Sequence, residues 1–445
     1  MGHAQSAWDG AETQREAAEE NGPPSDSTGQ RPPSPVDRIV GSYRAVMKFL
    51  GRRALARATR AVPRTLRFMY TAARSGEVSA AVPAPSLSLW LAAGVAMDEA
   101  LLAMAMTPTR FPRRADFARV STELADARRL FSRRGWIARP VSYHRTPPPL
   151  TAEDVETTRG WALGLGYERI TYDSGFSTRA GEPGGERWMA YEPNRRATTA
   201  IVRHRGGPRP WVVCVHGFSM GYPFMDFVGL QTAKLHRGLG LNVALPVLPL
   251  HGQRKVTLVS GEPFLSFDMM NTVHGLTQAV WDIRRLVSWI RTQGATSIGL
   301  YGVSLGAYVV SLLAGIEDGL DAVVAGIPVV DFPSLFHAHS PVHIRARSIE
   351  HHILGGMAED VCRVVSPMSF EPKVPRDSRY VFAGYGDRMA TPEQARRLWE
   401  HWDKPRISWY SGNHVGYLWS RQVEAFLGES LVASGLSCSR STGEG

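Results

Sequence analysis

Residues Gly302-Val303-Ser304-Leu305-Gly306 follow without a break on the apolar run Ser297–Tyr301, and a helix-forming stretch from Ala307 to Ala314 follows them. A serine between a buried strand and a helix, with glycine two positions away on each side, constrains the chain more than any other segment. The backbone must turn so tightly there that a Cβ at either glycine would meet the adjoining strand or helix. The chain holds 43 glycines, so the pattern alone carries little weight. Its place at the end of a strand is what counts.

A serine hydroxyl is not ionised at neutral pH, so attack on a carbonyl requires a base in hydrogen-bond reach and a third group to orient that base. For a serine on a strand-to-helix turn, the acid and then the base follow later in the chain. Arg379–Gly384 reads as a strand with Tyr385-Gly386-Asp387-Arg388 at its carboxyl end. A helix from Pro392 to Trp402 leads to the short strand Arg406–Tyr410, which ends in Ser411-Gly412-Asn413-His414. Asp387 and His414 are therefore the predicted acid and base. Asp331, after the apolar run Ile327–Val330 read as a strand, is the alternative acid. His251, in a Leu-His-Gly turn, is expected to bond backbone. Upstream, Trp211–Val215 is apolar throughout, as a strand buried on both faces should be, and runs into His216-Gly217-Phe218. The backbone N–H groups of Phe218 and Leu305 are the expected oxyanion hole.

From about Tyr167 to Leu431 the chain resembles the α/β-hydrolase superfamily. The resemblance rests on the His216–Phe218 turn, the Gly302–Gly306 elbow and the loops around Asp387 and His414. It implies an α/β fold with a doubly wound, mostly parallel sheet of about eight strands, helices on both faces and the active site along one edge. It also implies a serine esterase or lipase-like hydrolase working through an acyl-enzyme on Ser304. An acyltransferase using the same triad, or a non-catalytic ligand-binding relative, are the other readings. A serine nucleophile separates the chain from members that use aspartate. The triad chemistry calls for no cofactor and no metal. His337, His339, His343, His351 and His352 cluster, yet no cysteine or carboxylate stands at ligand spacing and the HEXXH form is missing.

Further strands are expected at Glu168–Tyr172 and Arg187–Tyr191 as edges, then at Thr198–Val202, Leu241–Leu245 and Asp321–Gly326. Residues Thr272 to Thr292 show helical spacing. Residues 332–375 fall where this fold inserts a cap, and their apolar side chains suit an acyl chain or ring. The organisation expected is a disordered tail over 1–36, a basic helical region over 37–150, a catalytic domain over 151–432 and a second tail over 433–445.

Charge concentrates near the amino end. Ten basic residues stand against one acid between Asp37 and Gly76, within a net charge of +10 for the chain. Apolar residues at helical spacing lie among them, so this segment either packs on the catalytic domain or makes peripheral contact with an anionic membrane through residues 38–74. The base-reading motifs and interleaved aromatics of a nucleic-acid binder are missing. Residues Leu87 to Met106 are apolar enough to suggest a membrane span, but Asp98 and Glu99 sit in the middle. Each costs about 2.5–3.5 kcal/mol at a bilayer centre. The segment is read as a helix buried against the catalytic domain, its carboxylates at the rim. Three cysteines form no disulfide framework and no signal-peptide pattern opens the chain, so a cytoplasmic protein is expected.

Overall fold

The structure, a computed structural model, describes residues 61–74, 82–83, 87–105 and 112–437. The expected tail over 1–36, the basic segment as far as residue 60 and Cys438 lie outside these residues.

Strand alternation and continuous apolar runs give a nine-stranded sheet. Its strands are β1 (Glu156–Ala162), β2 (Leu165–Asp173), β3 (Arg196–Val202), β4 (Arg209–Val215), β5 (Asn242–Pro246), β6 (Ala295–Val303), β7 (Ala322–Gly326), β8 (Arg379–Gly384) and β9 (Arg406–Tyr410). They lie in the order β1-β2-β3-β5-β4-β6-β7-β8-β9. Pairing is antiparallel from β1 through β5 and parallel from β5 to β9, so every parallel strand ends at one sheet edge. Ligand chemistry in such sheets gathers at that carboxyl edge. Strands β5 and β7 are buried along their whole length, because helices cover both faces. Arg114–Arg133, Met269–Thr292 and Leu305–Ile316 pack on one face, and Pro223–Gly229 and Arg421–Ala433 on the other.

Two local expectations are corrected, while the expected sheet of about eight strands has nine. Strand β1 is its outermost member at one edge. It is exposed along most of its length, so no apolar alternation marks it, and it is held by a two-residue hairpin turn in which Leu163 and Gly164 both take positive φ (49° and 75°). The expected edge strand Arg187–Tyr191 is instead the end of the short helix Gly185–Met189 and the turn that follows it. Its alternation serves three dimensions rather than a pleat: Trp188 donates to Gln278 Oε1 at 2.8 Å, while Arg187 grips both oxygens of Glu123 at 2.9 Å and Asp268 at 2.8 Å. The expected tail from 433 starts later, since Leu436 is buried and a Cβ on Gly299 of β6 would lie 2.8 Å from it.

The amino-terminal helices are part of this body. Phe117, Val120, Leu124, Ala127 and Phe131 form the buried stripe of Arg114–Arg133. In the helix Leu89–Ala105 the buried stripe is Leu91, Val95, Asp98, Glu99 and Leu102, so the two carboxylates lie at its centre and not at its rim. Among the described residues no helix is long and apolar enough to cross a membrane.

Candidate active site

Ser304 sits between β6 and the helix Leu305–Ile316 with φ 56° and ψ −116°, a conformation that L residues hold only when their surroundings enforce it. The enforcement is visible in its glycine neighbours. A Cβ on Gly302 would stand 2.3 Å from the Gly306 carbonyl oxygen, and one on Gly306 would stand 2.0 Å from that of Val215. The turn is anchored by the Ser304 N–H, which donates to the Gly326 carbonyl at 2.9 Å. Its side chain is half-buried at the carboxyl edge.

The two loops singled out downstream meet. His414 Nδ1 donates to Asp387 Oδ2 at 2.7 Å, and both side chains are buried. The other carboxylate oxygen of Asp387 accepts from the backbone N–H groups of Met389 and Ala390, each at 2.8 Å. Those two bonds fix the plane of the carboxylate and with it the imidazole. Burial works to lower the His414 pKa, but the charge and hydrogen bond of Asp387, joined by the charge of Asp98, outweigh it and hold the imidazole above its usual value.

Asp331 does other work. Its carboxylate caps the helix Phe332–His339 by accepting from the Ser334 N–H at 3.0 Å and pairs with Arg397 at 2.9 Å. The run Ile327–Val330 is not a strand: Ile327 takes a φ of 43° immediately after β7 and turns the chain out of the sheet.

On the other side of the elbow, the strand β4 delivers His216-Gly217-Phe218. A Cβ on Gly217 would lie 3.6 Å from the Ser304 Cβ, so this turn runs beside Ser304. His216 is buried; its Nε2 accepts from the Leu248 N–H at 3.1 Å, which leaves Nδ1–H to donate to the Gly217 carbonyl at 2.8 Å. That bond holds the peptide that carries the Phe218 N–H. The Leu305 N–H lies in the first turn of the elbow helix, where backbone N–H groups have no intrahelical acceptor. His251 Nδ1 donates to the Pro249 carbonyl at 2.9 Å, and burial drives its pKa well below the usual value, so it packs as a neutral ring.

What sequence reasoning missed stands behind Asp387 and His414. Asp98 is fully buried and accepts from the His414 N–H at 2.9 Å, the Arg388 N–H at 3.0 Å and Asn413 Nδ2 at 2.7 Å. Glu99 pairs with Arg388 and with Arg64 of the helix Ala61–Arg74, both at 3.1 Å. The signal was present in the sequence, as two adjacent acids inside an otherwise apolar helix. The partners of Asp98, and Arg388 as partner of Glu99, lie some 300 residues away in the chain, beyond the reach of local pattern.

No family model matches the sequence. Over 322 residues, 72% of this chain, it is 44% identical to an uncharacterized protein of Mycobacterium tuberculosis, covering 76% of that protein; the counterpart from a second strain gives the same figures. Among solved structures, acetyl xylan esterase 1 from a Thermoanaerobacterium species aligns with a TM-score of 0.49 at 12% identity, over 68% of this chain and 92% of that one. An acetyl xylan esterase from a Paenibacillus species aligns with a TM-score of 0.45 at 15% identity, over 66% of this chain and 98% of that one. The chain belongs to one family with the mycobacterial proteins, and its sheet order, elbow and strand-end loops make the α/β-hydrolase fold.

Proposed function

We propose that this protein is a serine hydrolase that cleaves carboxylic esters through an acyl-enzyme on Ser304, with Asp387 as the acid and His414 as the base. The observation that carries the reading is the 2.7 Å bond between His414 and Asp387, made by two loops at the same sheet edge as the elbow. Ser304 Oγ attacks the ester carbonyl carbon while His414 Nε2 takes its proton. The N–H groups of Phe218 and Leu305 receive the resulting oxyanion; preorganised donors of this kind contribute about 3 kcal/mol each. The tetrahedral intermediate expels the alkoxide, which leaves as the alcohol with the proton from His414. Water then enters by the same steps in reverse, frees the acid and restores Ser304.

The segment between β7 and β8 supplies the cap. In it Phe332 and Ile353 are buried, and Leu335, Phe336, Ile344 and Met357 are half-buried against the core. An apolar cover of this kind favours esters with an acyl chain or ring over sugars and phosphates. Fluorophosphonate labelling followed by a panel of nitrophenyl esters of rising chain length tests the reading. Modification confined to Ser304 and turnover that rises with chain length are expected; an unlabelled Ser304 would sink it. Adding an alcohol to the same assay separates hydrolysis from acyl transfer.

We further propose that the helix Ala61–Arg74 meets an anionic membrane surface. Only Ala61 and Thr65 of this helix are buried, while Val62, Leu66 and Tyr70 are exposed beside Arg64, Arg67 and Arg74. Leu89 and Trp90 at the start of the next helix are exposed as well. Apolar side chains edged with arginine suit lipid head groups. Flotation with anionic vesicles should carry the protein, and added salt should release it; no binding at low salt would dismiss the idea.

A further inference from the structure

The helix Leu89–Ala105 lies against both loops that carry Asp387 and His414, and the approach leaves little room beside two glycines. A Cβ on Gly94 would be 3.1 Å from the Asn413 side chain, and one on Gly386 would be 2.6 Å from Leu91 Cδ1. At the point of contact Asp98 takes one backbone N–H from each loop, those of Arg388 and His414, together with the Asn413 amide.

We infer that Asp98 is a positioning residue of the triad: one buried carboxylate, supplied by a helix ahead of the sheet, holds the acid loop and the base loop in register and adds a second negative charge behind His414. The inference rests on the hydrolase reading above.

Hydrogen bonding alone does not account for an aspartate here. An asparagine could accept both backbone N–H bonds through its oxygen and donate to a flipped Asn413 amide, with no buried charge. The three donors to Asp98 belong to neutral groups, and Asp387 stands close by. Burial first, and the charge of Asp387 second, push Asp98 up to about 6, against the pull of His414 and of the two backbone N–H bonds. The charged and titratable groups facing it are Asp387 and Arg388 from the acid loop, His414 from the base loop and Tyr410 from β9. Glu99, beside it on the helix, is matched by Arg388 and Arg64. What the charge of Asp98 contributes, beyond the bonds, is a further preference for His414 as imidazolium, the form that exists while the oxyanion does.

Asp98→Asn tests this, because it keeps the shape and the bonds and removes the charge. The primary readout is the titration of the His414 Nδ1–H resonance in the resting protein, which needs no substrate. We expect its midpoint to fall by about one pH unit. We expect kcat for an ester substrate to fall by about 10-fold at unchanged KM, the same loss of imidazolium stabilisation read as a rate. If the asparagine variant does not fold, Asp98→Ser removes the same charge with a smaller side chain and carries the same expectation for the resonance. A His414 midpoint equal to wild type in the folded variant overturns the inference, even if Ser304 labels normally. Absence of ester turnover in the wild type would instead overturn the hydrolase reading and leave the titration still able to decide the role of Asp98.

Discussion

Arg388 Nε lies 3.1 Å from Glu99 Oε1, so the residue directly after the proposed acid is tied to a helix almost 300 residues earlier in the chain. The same guanidinium stands 5.2 Å from the Phe68 ring centre, which extends the tie to the helix Ala61–Arg74. The active-site edge is thereby built from both ends of the described chain, not from the sheet alone.

Replacing Ser304 with alanine removes the proposed nucleophile and little else. Fluorophosphonate labelling should vanish, and ester turnover should drop by at least about 10⁴-fold. Circular dichroism should match wild type, since Cβ is retained and the glycines still permit the turn. Turnover near wild type in a pure sample would show that another residue attacks.

The two candidate acids are separated by their contacts. Asp387→Asn should lower kcat by about 10³ to 10⁴, because the amide holds His414 in the wrong tautomer. Asp331→Ala should leave kcat unchanged and reduce stability by about 1 kcal/mol through loss of a helix cap. Urea unfolding together with kinetics on both variants checks this, and the opposite pairing of effects would move the acid to Asp331.

Asp98 also has a consequence for stability as a function of pH. Its pKa in the fold is raised from the ordinary 3.8 to about 6, so the folded protein holds a proton there that the unfolded chain has already released. A group of that sign supports the fold below pH 3.8, and its contribution is lost as pH rises through about 6. The stability of wild type relative to Asp98→Asn should therefore decline by on the order of 3 kcal/mol between those limits and level off above them. Chemical denaturation of the pair at several pH values measures the difference; parallel curves would mean that Asp98 keeps an ordinary pKa.

His414 moves the other limb of the profile. Its raised pKa keeps it protonated to higher pH than a free imidazole, and only the neutral ring can accept the Ser304 proton. The acid limb of kcat/KM should accordingly fall above the ordinary histidine value of 6.5. A limb below that value would mean that desolvation wins over the two carboxylates.

Deleting residues 1–110 spares the helix Arg114–Arg133 but removes Asp98, Glu99 and the apolar stripe of Leu91, Val95 and Leu102. We expect a protein that retains the sheet by circular dichroism, melts at lower temperature and loses at least about 10²-fold in kcat. Full activity in that fragment would show that the loops around Asp387 and His414 stand without the helix.

The parts of this molecule that could be read from sequence are those whose cause is local. Gly302 and Gly306 are needed by the very turn they flank, and continuous apolar strands such as Trp211–Val215 announce burial on both faces. Asp387 and His414 were legible because a strand, a short loop and a polar residue recur in a fixed order. Arg187–Tyr191 was misread because five alternating residues fit a pleat and a short helix equally well, and the deciding partners, Gln278, Glu123 and Asp268, come from distant helices. Strand β1 was missed because an exposed edge needs no apolar pattern. Asp98 shows the limit most clearly: nothing within its own helix requires an acid, and its three donors sit on loops that only the complete sheet brings near.

The distance along the chain between Asp98 and its donors also sets an order of assembly. The Arg388 and His414 N–H groups follow it by 290 and 316 residues. At synthesis rates of about 5–20 residues per second, roughly 15 to 60 seconds separate the emergence of the carboxylate from that of its last partner. Through that interval the helix Leu89–Ala105 carries an unmatched acid in the middle of an apolar face, a combination poorly suited to burial against anything else. A buried charge without those donors would disfavour packing of the helix before β9 and its loop are present. A chain truncated before His414 would lack both the proposed base and the seat for this helix.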